Sequence, residues 1–282
     1  MKNIRAILAG IFLAISFGPL MLVEAKSGNS TLAEKVQLSN IILIGDVKEL
    51  HDDYVTVTVK KVLKGVVPLR EIEVSWDKTV NNETMVVQYN VGAQFLIFTS
   101  TSDARYHTFM GERGVVKLEK GEIEQYETAI NGIEKYNVSK STEEIKGLLI
   151  TMLRSNNPLL QDAVLWDYIY IDRGFKRRNF GIGEKELSPD VIRLTKNSDK
   201  RIAVGATQAL DSIGGIESIP TLIELVGDDD ESVARIAARA LSTKTRFKKT
   251  IERGSPIVER KKVQAEWQEW WGKNKDKVKI RH

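Results

Sequence analysis

The chain of 282 residues contains no cysteine and only three histidines. Without cysteine there is no disulfide, no thiolate metal site and no cysteine nucleophile. His51, His107 and His282 lack the i, i+4 partner of a helical metal site, and no G-x-S-x-G, P-loop or G-x-G-x-x-G motif is present. We therefore predict a non-enzymatic protein without catalytic residues, cofactor, metal or small-molecule substrate, which packing alone stabilises.

Two short acidic stretches could hold a cation, but each also fits a turn. "HDD" at 51–53 lies between two predicted strands, where Asp is a common turn residue. "DDDE" at 228–231 lacks the spacing and the glycine of an EF-hand loop. It precedes a predicted helix, where acidic side chains are favoured. We interpret both stretches as structural.

The N-terminus has the pattern of a targeting segment. Lys2 and Arg5 precede an apolar run at 6–23, and "VEA" at 23–25 supplies small residues before a cleavable bond. This predicts a signal peptide at 1–25, cleavage after Ala25, and a periplasmic or secreted protein without the cysteine of a lipoprotein. The alternative is a retained membrane anchor, because the run approaches the length of a short span.

The first half of the chain has the alternating pattern of strands. Apolar and polar residues alternate in "DYVTVTVKKVL" at 53–63 and "EIEVSW" at 71–76, and compact apolar runs occupy 40–47 and 91–100. "GVVKLEKGEIEQY" at 114–126 is predicted to be a hairpin that turns at Lys120-Gly121. Short strands at this spacing favour a small barrel or sandwich.

The order of these phrases, with "IGDV", "VLKG" and "VGAQFLIF", resembles the netrin-like/OB-fold barrel of tissue inhibitors of metalloproteinases over residues 36–126. The resemblance implies a small antiparallel β-barrel, which we assign to 26–136, and leaves its strand order open. In that family an N-terminal cysteine meets the catalytic zinc, so the inhibitory activity does not carry over. A barrel surface used by an inhibitor or an enzyme stays an alternative function.

The second half changes to helical periodicity. Ser141 and Glu144 have the spacing of a capping box before an apolar helix face, and Asn157-Pro158 suits the start of the next helix. Further on, the segment 190–215 aligns without gaps to 221–246. Each copy reads as a helix, a polar turn and a second helix, with alanines where the helices pack most closely.

An earlier copy of the unit lies at 147–169, and we align it 43 positions before the second copy. In this alignment Trp166 takes the place of Ala209. The two aligned copies, and the phrases "NSDKRIAVGATQAL" and "DDDESVARIAARAL", resemble the short bacterial members of the HEAT-repeat family over residues 140–245. The first copy departs from the pattern at Trp166, and we interpret it as a cap or as the joint to the barrel. The resemblance implies an armadillo-like α-solenoid that acts as a scaffold for other proteins and has no catalytic residues.

The C-terminal segment is basic and rich in tryptophan. From Lys244 to His282 there are 13 Lys+Arg and 5 Asp+Glu, a net charge of 13 − 5 = +8. Val263, Trp267, Trp270 and Trp271 share one helix face, which predicts a helix at 255–282 that caps the solenoid. The alternative is an exposed surface that docks on anionic lipid.

The predicted fold is therefore α+β with two domains, an N-terminal OB-like antiparallel barrel and a C-terminal HEAT-like solenoid at 137–254 closed by the capping helix. Two groups of residues are candidates for partner binding. The insertion "FKRRNF" at 175–180 offers three cations, and the second helices offer a polar stripe on the concave face; either group could also be merely solvated. The candidates are Lys176, Arg177, Arg178, Arg201, Gln208, Arg235 and Arg239.

The predicted function rests on the repeats, the missing catalytic motifs and these candidate residues. We expect an exported, non-enzymatic protein-binding scaffold that uses the solenoid surface and the barrel, and a protein partner with an acidic surface. Peripheral membrane contact through the basic C-terminus is the second candidate, and nucleic acid is not an expected partner.

Overall fold

A computed structural model describes residues 31–75, 89–102, 105–108, 114–171, 184–245 and 247–278. The first part is built mainly of strands, and the elements described in the second part are helices. The elements of the first part are α1 (Leu32–Leu38), β1 (Ile41–Leu50), β2 (Tyr54–Lys64), β3 (Glu71–Ser75), β4 (Gln94–Ser102), β5 (Arg105–Thr108) and β6 (Val115–Lys117). The helices that follow are α2 (Ile123–Val138), α3 (Thr142–Arg154), α4 (Pro158–Ile171), α5 (Glu184–Leu194), α6 (Lys200–Ile213), α7 (Ile219–Val226), α8 (Glu231–Lys244) and α9 (Ile257–Asn274).

The strands close into a five-stranded barrel in the order β1-β2-β3-β5-β4-β1. Closure is made by β1, which pairs along one edge with β2 and along the other with β4. The β3–β5 pair is parallel, and all the other pairs are antiparallel. β5 and β6 pair one after the other along β4: Thr99 faces Thr108 of β5, and Ile97 faces Val115 of β6. The predicted barrel is confirmed, and the netrin-like resemblance stays a prediction.

Alternation of side chains produces the barrel core, as the sequence predicts. In β2 and β3 the inward-facing residues are almost inaccessible and alternate with polar residues, whereas β1 and β4 bury consecutive apolar residues. The core contains Ile41, Leu43, Val47, Val55, Val57, Ile72, Val74, Phe95, Ile97 and Val115.

The predicted hairpin at 114–126 is wrong in its second half. The chain does turn at Gly121, whose φ is 95°, but it then enters α2 instead of a returning strand. The buried face of α2 is formed by Ala129, Ile130 and Ile133, which lie beyond the predicted hairpin. The alternation in 114–126 was therefore too short a window to separate a strand from the first turn of a helix.

Helix α2 joins the barrel to the helical part. On the barrel side, Lys61 and Lys64 of β2 form ion pairs with Glu127 and Glu134, at 2.6 and 3.0 Å. On the other side, a Cβ atom at Gly132 would lie 2.8 Å from Leu160 Cδ2, so α2 and α4 approach closely at that glycine. One helix thus packs against both parts.

The helical part consists of three pairs, α3–α4, α5–α6 and α7–α8, which stack on one another. We call the first helix of each pair an A helix and the second a B helix. The B helices α4, α6 and α8 pack in series. Ala206, Ala209, Ala237 and Ala240 are completely buried, so the alanines occupy the closest contacts, as predicted.

Polar side chains start the B helices at corresponding places. Asp199 accepts the Arg201 N–H at 2.8 Å and Asp230 accepts the Ser232 N–H at 2.7 Å. The Asn157 amide oxygen likewise accepts the Leu159 N–H at 3.0 Å. Asn157, Asp199 and Asp230 therefore occupy equivalent positions in the three helix pairs.

The capping residues correct the register of the first repeat. Asn157 lies 42 positions before Asp199, not 43, and Asp230 lies 31 positions after it. Burial agrees with this register, since Leu160 and Ile202 are both buried while Trp166 and Gln208 are both partly exposed. The prediction that Trp166 replaces Ala209 is therefore wrong: Trp166 occupies the place of Gln208. The first copy contains a single alanine, Ala163, which was too little to fix its register.

The last pair is covered by the chain that follows it. Ser242 Oγ donates to the Lys249 carbonyl at 2.9 Å, and the Gly254 N–H donates to Glu231 at 2.9 Å, so this segment runs back along α8. Helix α9 then packs on α7, and Trp267 is completely buried with its ring edge-on to Phe247 at 4.8 Å. The boundaries predicted for the four parts of the chain, 1–25, 26–136, 137–254 and 255–282, stay predictions.

The close packing of B helices generates the first testable prediction. Replacing Ala237→Leu forces extra methyl groups into a contact without free space, and we expect a loss of about 1–3 kcal/mol in the free energy of unfolding. Chemical denaturation measures this loss. The control is Ala265→Leu on the exposed side of α9, where we expect a change within about 0.5 kcal/mol. Equal effects at the two positions would contradict the packing described.

Candidate protein-interaction face

The corrected register brings surface residues of successive B helices into rows. One row contains Trp166, Gln208 and Arg239, which follow one another at 42 and 31 positions. A second row contains Asp162, Val204 and Arg235 at the same spacings, and Val204 is buried. We call the partly or fully exposed members of these rows, together with Arg201 at the start of α6, the B-helix face. Its residues are Asp162, Trp166, Arg201, Gln208, Arg235 and Arg239.

Four of the seven residues predicted for partner binding lie on this face. Arg201 and Gln208 project from α6, and Arg235 and Arg239 project from α8. Lys176, Arg177 and Arg178 lie outside the described residues. Sequence reasoning missed Asp162 and Trp166 as members of this face. The capping residues Asn157 and Asp199 could have identified them, because aligning these two caps places Asp162 and Trp166 in the rows.

Each arginine of the face already has a carboxylate within 4 Å. Arg201 lies 3.8 Å from Asp199, Arg235 lies 3.8 Å from Glu231, and Arg239 lies 3.7 Å from Asp211 of the neighbouring helix. Exposed pairs of this kind contribute at most about 1 kcal/mol each. The arginine stripe is therefore electrically balanced, and the arginines can exchange partners at little cost.

The end of the face nearest the barrel contains a partly buried polar cluster. Trp166 Nε1 donates to Asp162 Oδ1 at 3.1 Å. Burial raises the pKa of Asp162, and the Arg201 charge and the Trp166 hydrogen bond oppose this rise. Burial also raises the pKa of the Tyr126 hydroxyl, with a further rise from Glu122 and an opposing effect of Arg201. Arg201 thus interacts electrostatically with both α2 and α4.

A polar groove of about 470 Å³ lies between the turns of the second and third pairs. Two ion pairs connect its walls, Lys196–Glu224 at 3.4 Å and Lys200–Asp230 at 2.5 Å. Partial burial raises the pKa of Asp230, but hydrogen bonds from Lys200 and from the Ser232 and Val233 N–H groups outweigh it and lower that pKa overall. Because two ion pairs cross the groove and Asp230 caps α8, the residues of the groove hold the second and third helix pairs together.

The described histidines have structural contacts. His51 stacks on Tyr54 with ring centres 4.1 Å apart, in the turn between β1 and β2, and His107 Nδ1 lies 2.7 Å from Ser75 Oγ. Across the described ranges, no cluster of three or more His, Asp or Glu side chains could hold a metal ion. The expected lack of a metal or cofactor stays a prediction. Nor does any helix of those ranges combine the length and apolarity needed to cross a membrane.

Comparison with known proteins supports the repeat architecture. Residues 174–242 match a family model described as HEAT repeats. This segment is similar to HEAT repeats. The match includes α5 to α8, and with them Arg201, Gln208, Arg235 and Arg239 of the B-helix face. HEAT repeats are generally non-enzymatic and commonly mediate protein–protein interaction. No curated protein matches the chain.

The shifted pKa of Asp162 generates a prediction about stability. A carboxyl group whose pKa is raised by folding binds its proton more tightly in the native state, so ionisation lowers stability as the pH rises. In Asp162→Asn, the amide oxygen can still accept the Trp166 hydrogen bond, but this pH-dependent loss disappears.

We therefore expect the stability of Asp162→Asn, relative to the unchanged protein, to increase from pH 3 to pH 7. Denaturant titrations at several pH values measure this difference. Asp276→Asn, at an exposed position after α9, is the control and should show no such trend. A difference that stays constant with pH would show that Asp162 titrates normally.

Proposed function

We propose that the protein is a non-enzymatic scaffold that binds a protein partner on the B-helix face. The observation that carries the proposal is the row of Trp166, Gln208 and Arg239, which repeats one surface position on three successive B helices. A repeated surface position gives a partner several equivalent contacts on a rigid support. The similarity of residues 174–242 to HEAT repeats supports the same function.

The residue types of the face suit a binding surface. Trp, Tyr and Arg are the residues most often found at energetic centres of protein interfaces. Trp166 is partly exposed and its indole N–H is held by Asp162, so little side-chain entropy remains to be lost on binding. Arg201 interacts electrostatically with Asp162 and with Tyr126, and we assign the centre of the interface to this end of the face.

The arginines define the chemistry of the partner. The side chains of Arg201 and Arg239 are 64% and 58% exposed, and their carboxylate partners lie at 3.8 and 3.7 Å. Carboxylates of a partner would replace Asp199 and Asp211 in better-desolvated pairs. We therefore propose an acidic partner surface with an apolar group for Trp166. The cations of the insertion, Lys176, Arg177 and Arg178, are proposed as additional contacts.

We place this function outside the cytoplasm, in the periplasm or secreted. The support is the charged, apolar and small-residue pattern at 1–25, which is typical of a cleaved signal peptide. If so, the mass of the protein isolated from cells corresponds to a chain that begins at Lys26. An intact N-terminus would favour the retained anchor.

A charge-reversal experiment tests the binding face. The tagged full chain is crosslinked in cells and purified, and its partners are compared with those of Arg235→Glu/Arg239→Glu. We expect the reversed variant to recover about tenfold or more less of one crosslinked partner, because glutamates at 235 and 239 would repel an acidic surface. Trp166→Ala should weaken the same complex without a change of charge.

The matched control is Lys261→Glu/Lys262→Glu, which reverses two exposed cations on α9. It should keep the partner that the face variant loses, provided that thermal unfolding shows both variants to be folded. Loss of binding only in the α9 variant would instead favour docking through the basic C-terminus, and retention by all variants would refute the proposed face.

The Trp267 side chain is buried against Phe247, so α9 has less aromatic surface to offer than its sequence suggests.

A further inference from the structure

Exposed apolar side chains gather at one end of the barrel. Leu38, Val66, Leu69 and Val138 are between 55% and 80% exposed, although all four are large and apolar. They come from the end of α1, the loop after β2 and the end of α2. We call these four residues the apolar end patch. Contiguous exposed apolar residues usually mark a contact with another body.

Ion pairs show that α2 and β2 end at the same side of the barrel. Lys61 contacts Glu127, and three residues further along β2, Lys64 contacts Glu134, seven residues further along α2. Three strand residues rise about 10 Å and seven helical residues about 10.5 Å, so the two elements run side by side in the same direction. Val138, the last residue of α2, therefore lies at the end of the barrel where β2 leads into Val66.

Two backbone contacts bring Leu38 to the same end. Lys64 Nζ donates to the Val36 carbonyl at 2.6 Å. Gly65, with φ of 76°, lies so close to Asn40 that a Cβ atom would be 2.6 Å from the Asn40 carbonyl oxygen. Leu38 lies between these two contacts along the chain, beside the start of the loop after β2.

The same loop fixes Leu69. Val67 packs against the barrel core, which anchors the loop and leaves Val66 and Leu69 exposed on either side of it. The patch is therefore presented on a supported loop and on the ends of two helices.

The charges around the patch favour an anionic surface. The carboxylates of α2 that face β2, Glu127 and Glu134, are each paired with a lysine. Arg70 next to Leu69 and Lys135 one turn before Val138 are exposed. Apolar side chains beside exposed cations are the combination that binds the surface of an anionic bilayer.

We propose that the apolar end patch docks on an anionic lipid bilayer, with the loop after β2 entering the interface. This contact uses the barrel and is independent of the B-helix face, so a scaffold could hold a protein partner at a membrane surface. It also differs from docking through the C-terminal helix.

The absence of cysteine makes this inference directly testable. In the full chain, Val66→Cys is labelled with an environment-sensitive dye and mixed with vesicles of phosphatidylcholine alone or with added phosphatidylglycerol. We expect a blue shift and an intensity gain of about twofold or more with the anionic vesicles. The matched control is Val258→Cys at the start of α9, which is 76% exposed and should not respond.

A second pair of variants measures the apolar contribution. With the label at Val138→Cys, the substitutions Val66→Asp/Leu69→Asp should weaken the anionic-vesicle response by about tenfold or more. Leu50→Asp/Val91→Asp, at the exposed residues of the opposite end of the barrel, should leave it unchanged. The local signal of the dye reports contact at the patch itself, so it decides the outcome.

Three results would overturn the proposal. The label at position 66 could remain in water while the protein sediments with vesicles, which would show tethering without docking. An equal response at position 258 would assign the contact to the C-terminal helix. A response without vesicles that grows with protein concentration would assign the patch to a second copy of the chain.

Discussion

The close approach of the B helices is the contact on which the helical part depends. Side chains no larger than alanine occupy the contacts at 206, 209, 237 and 240, and all four are fully buried. Larger side chains there would separate α4, α6 and α8 and expose the apolar faces that stacking buries. The same approach sets the spacing of surface positions on α6 and α8, where Gln208 and Arg239 each precede one of these alanines in the chain.

Local patterns predicted the type of most elements. Alternation of Val55 and Val57 identified the strands, and the 31-residue repeat identified the last two helix pairs. Both signals arise because an element that buries one face repeats its apolar residues at its own period. Long-range features were harder to predict. Helix α2 was missed because its apolar face begins only at Ala129. The first repeat was misaligned by one residue because its single alanine, Ala163, does not fix the register. Strand order depends on pairings such as β1–β4, which no local pattern contains.

The candidate site was only partly predictable for a related reason. Arg201, Gln208, Arg235 and Arg239 were found from their place in the repeat, but their neutralising partners lie on adjacent turns or helices. Asp211, for example, belongs to α6 and meets Arg239 of α8. The sequence also gave no sign that α2 would bring Tyr126 close to Arg201, or that it would end beside the loop of Val66. Helix α2, which joins barrel and repeats, contributes Val138 to the apolar end patch and carries Tyr126, whose hydroxyl interacts electrostatically with Arg201 of the B-helix face.

The central claim is that the row of Trp166, Gln208 and Arg239 contacts a protein partner. It is tested most directly by placing a photoreactive amino acid at Gln208, the middle of the row, and irradiating living cells. A matched position is Gln268, a glutamine on the exposed side of α9. The account predicts one discrete covalent adduct with another protein at position 208 and none at 268. No adduct at 208, or the same adducts at both positions, would contradict it.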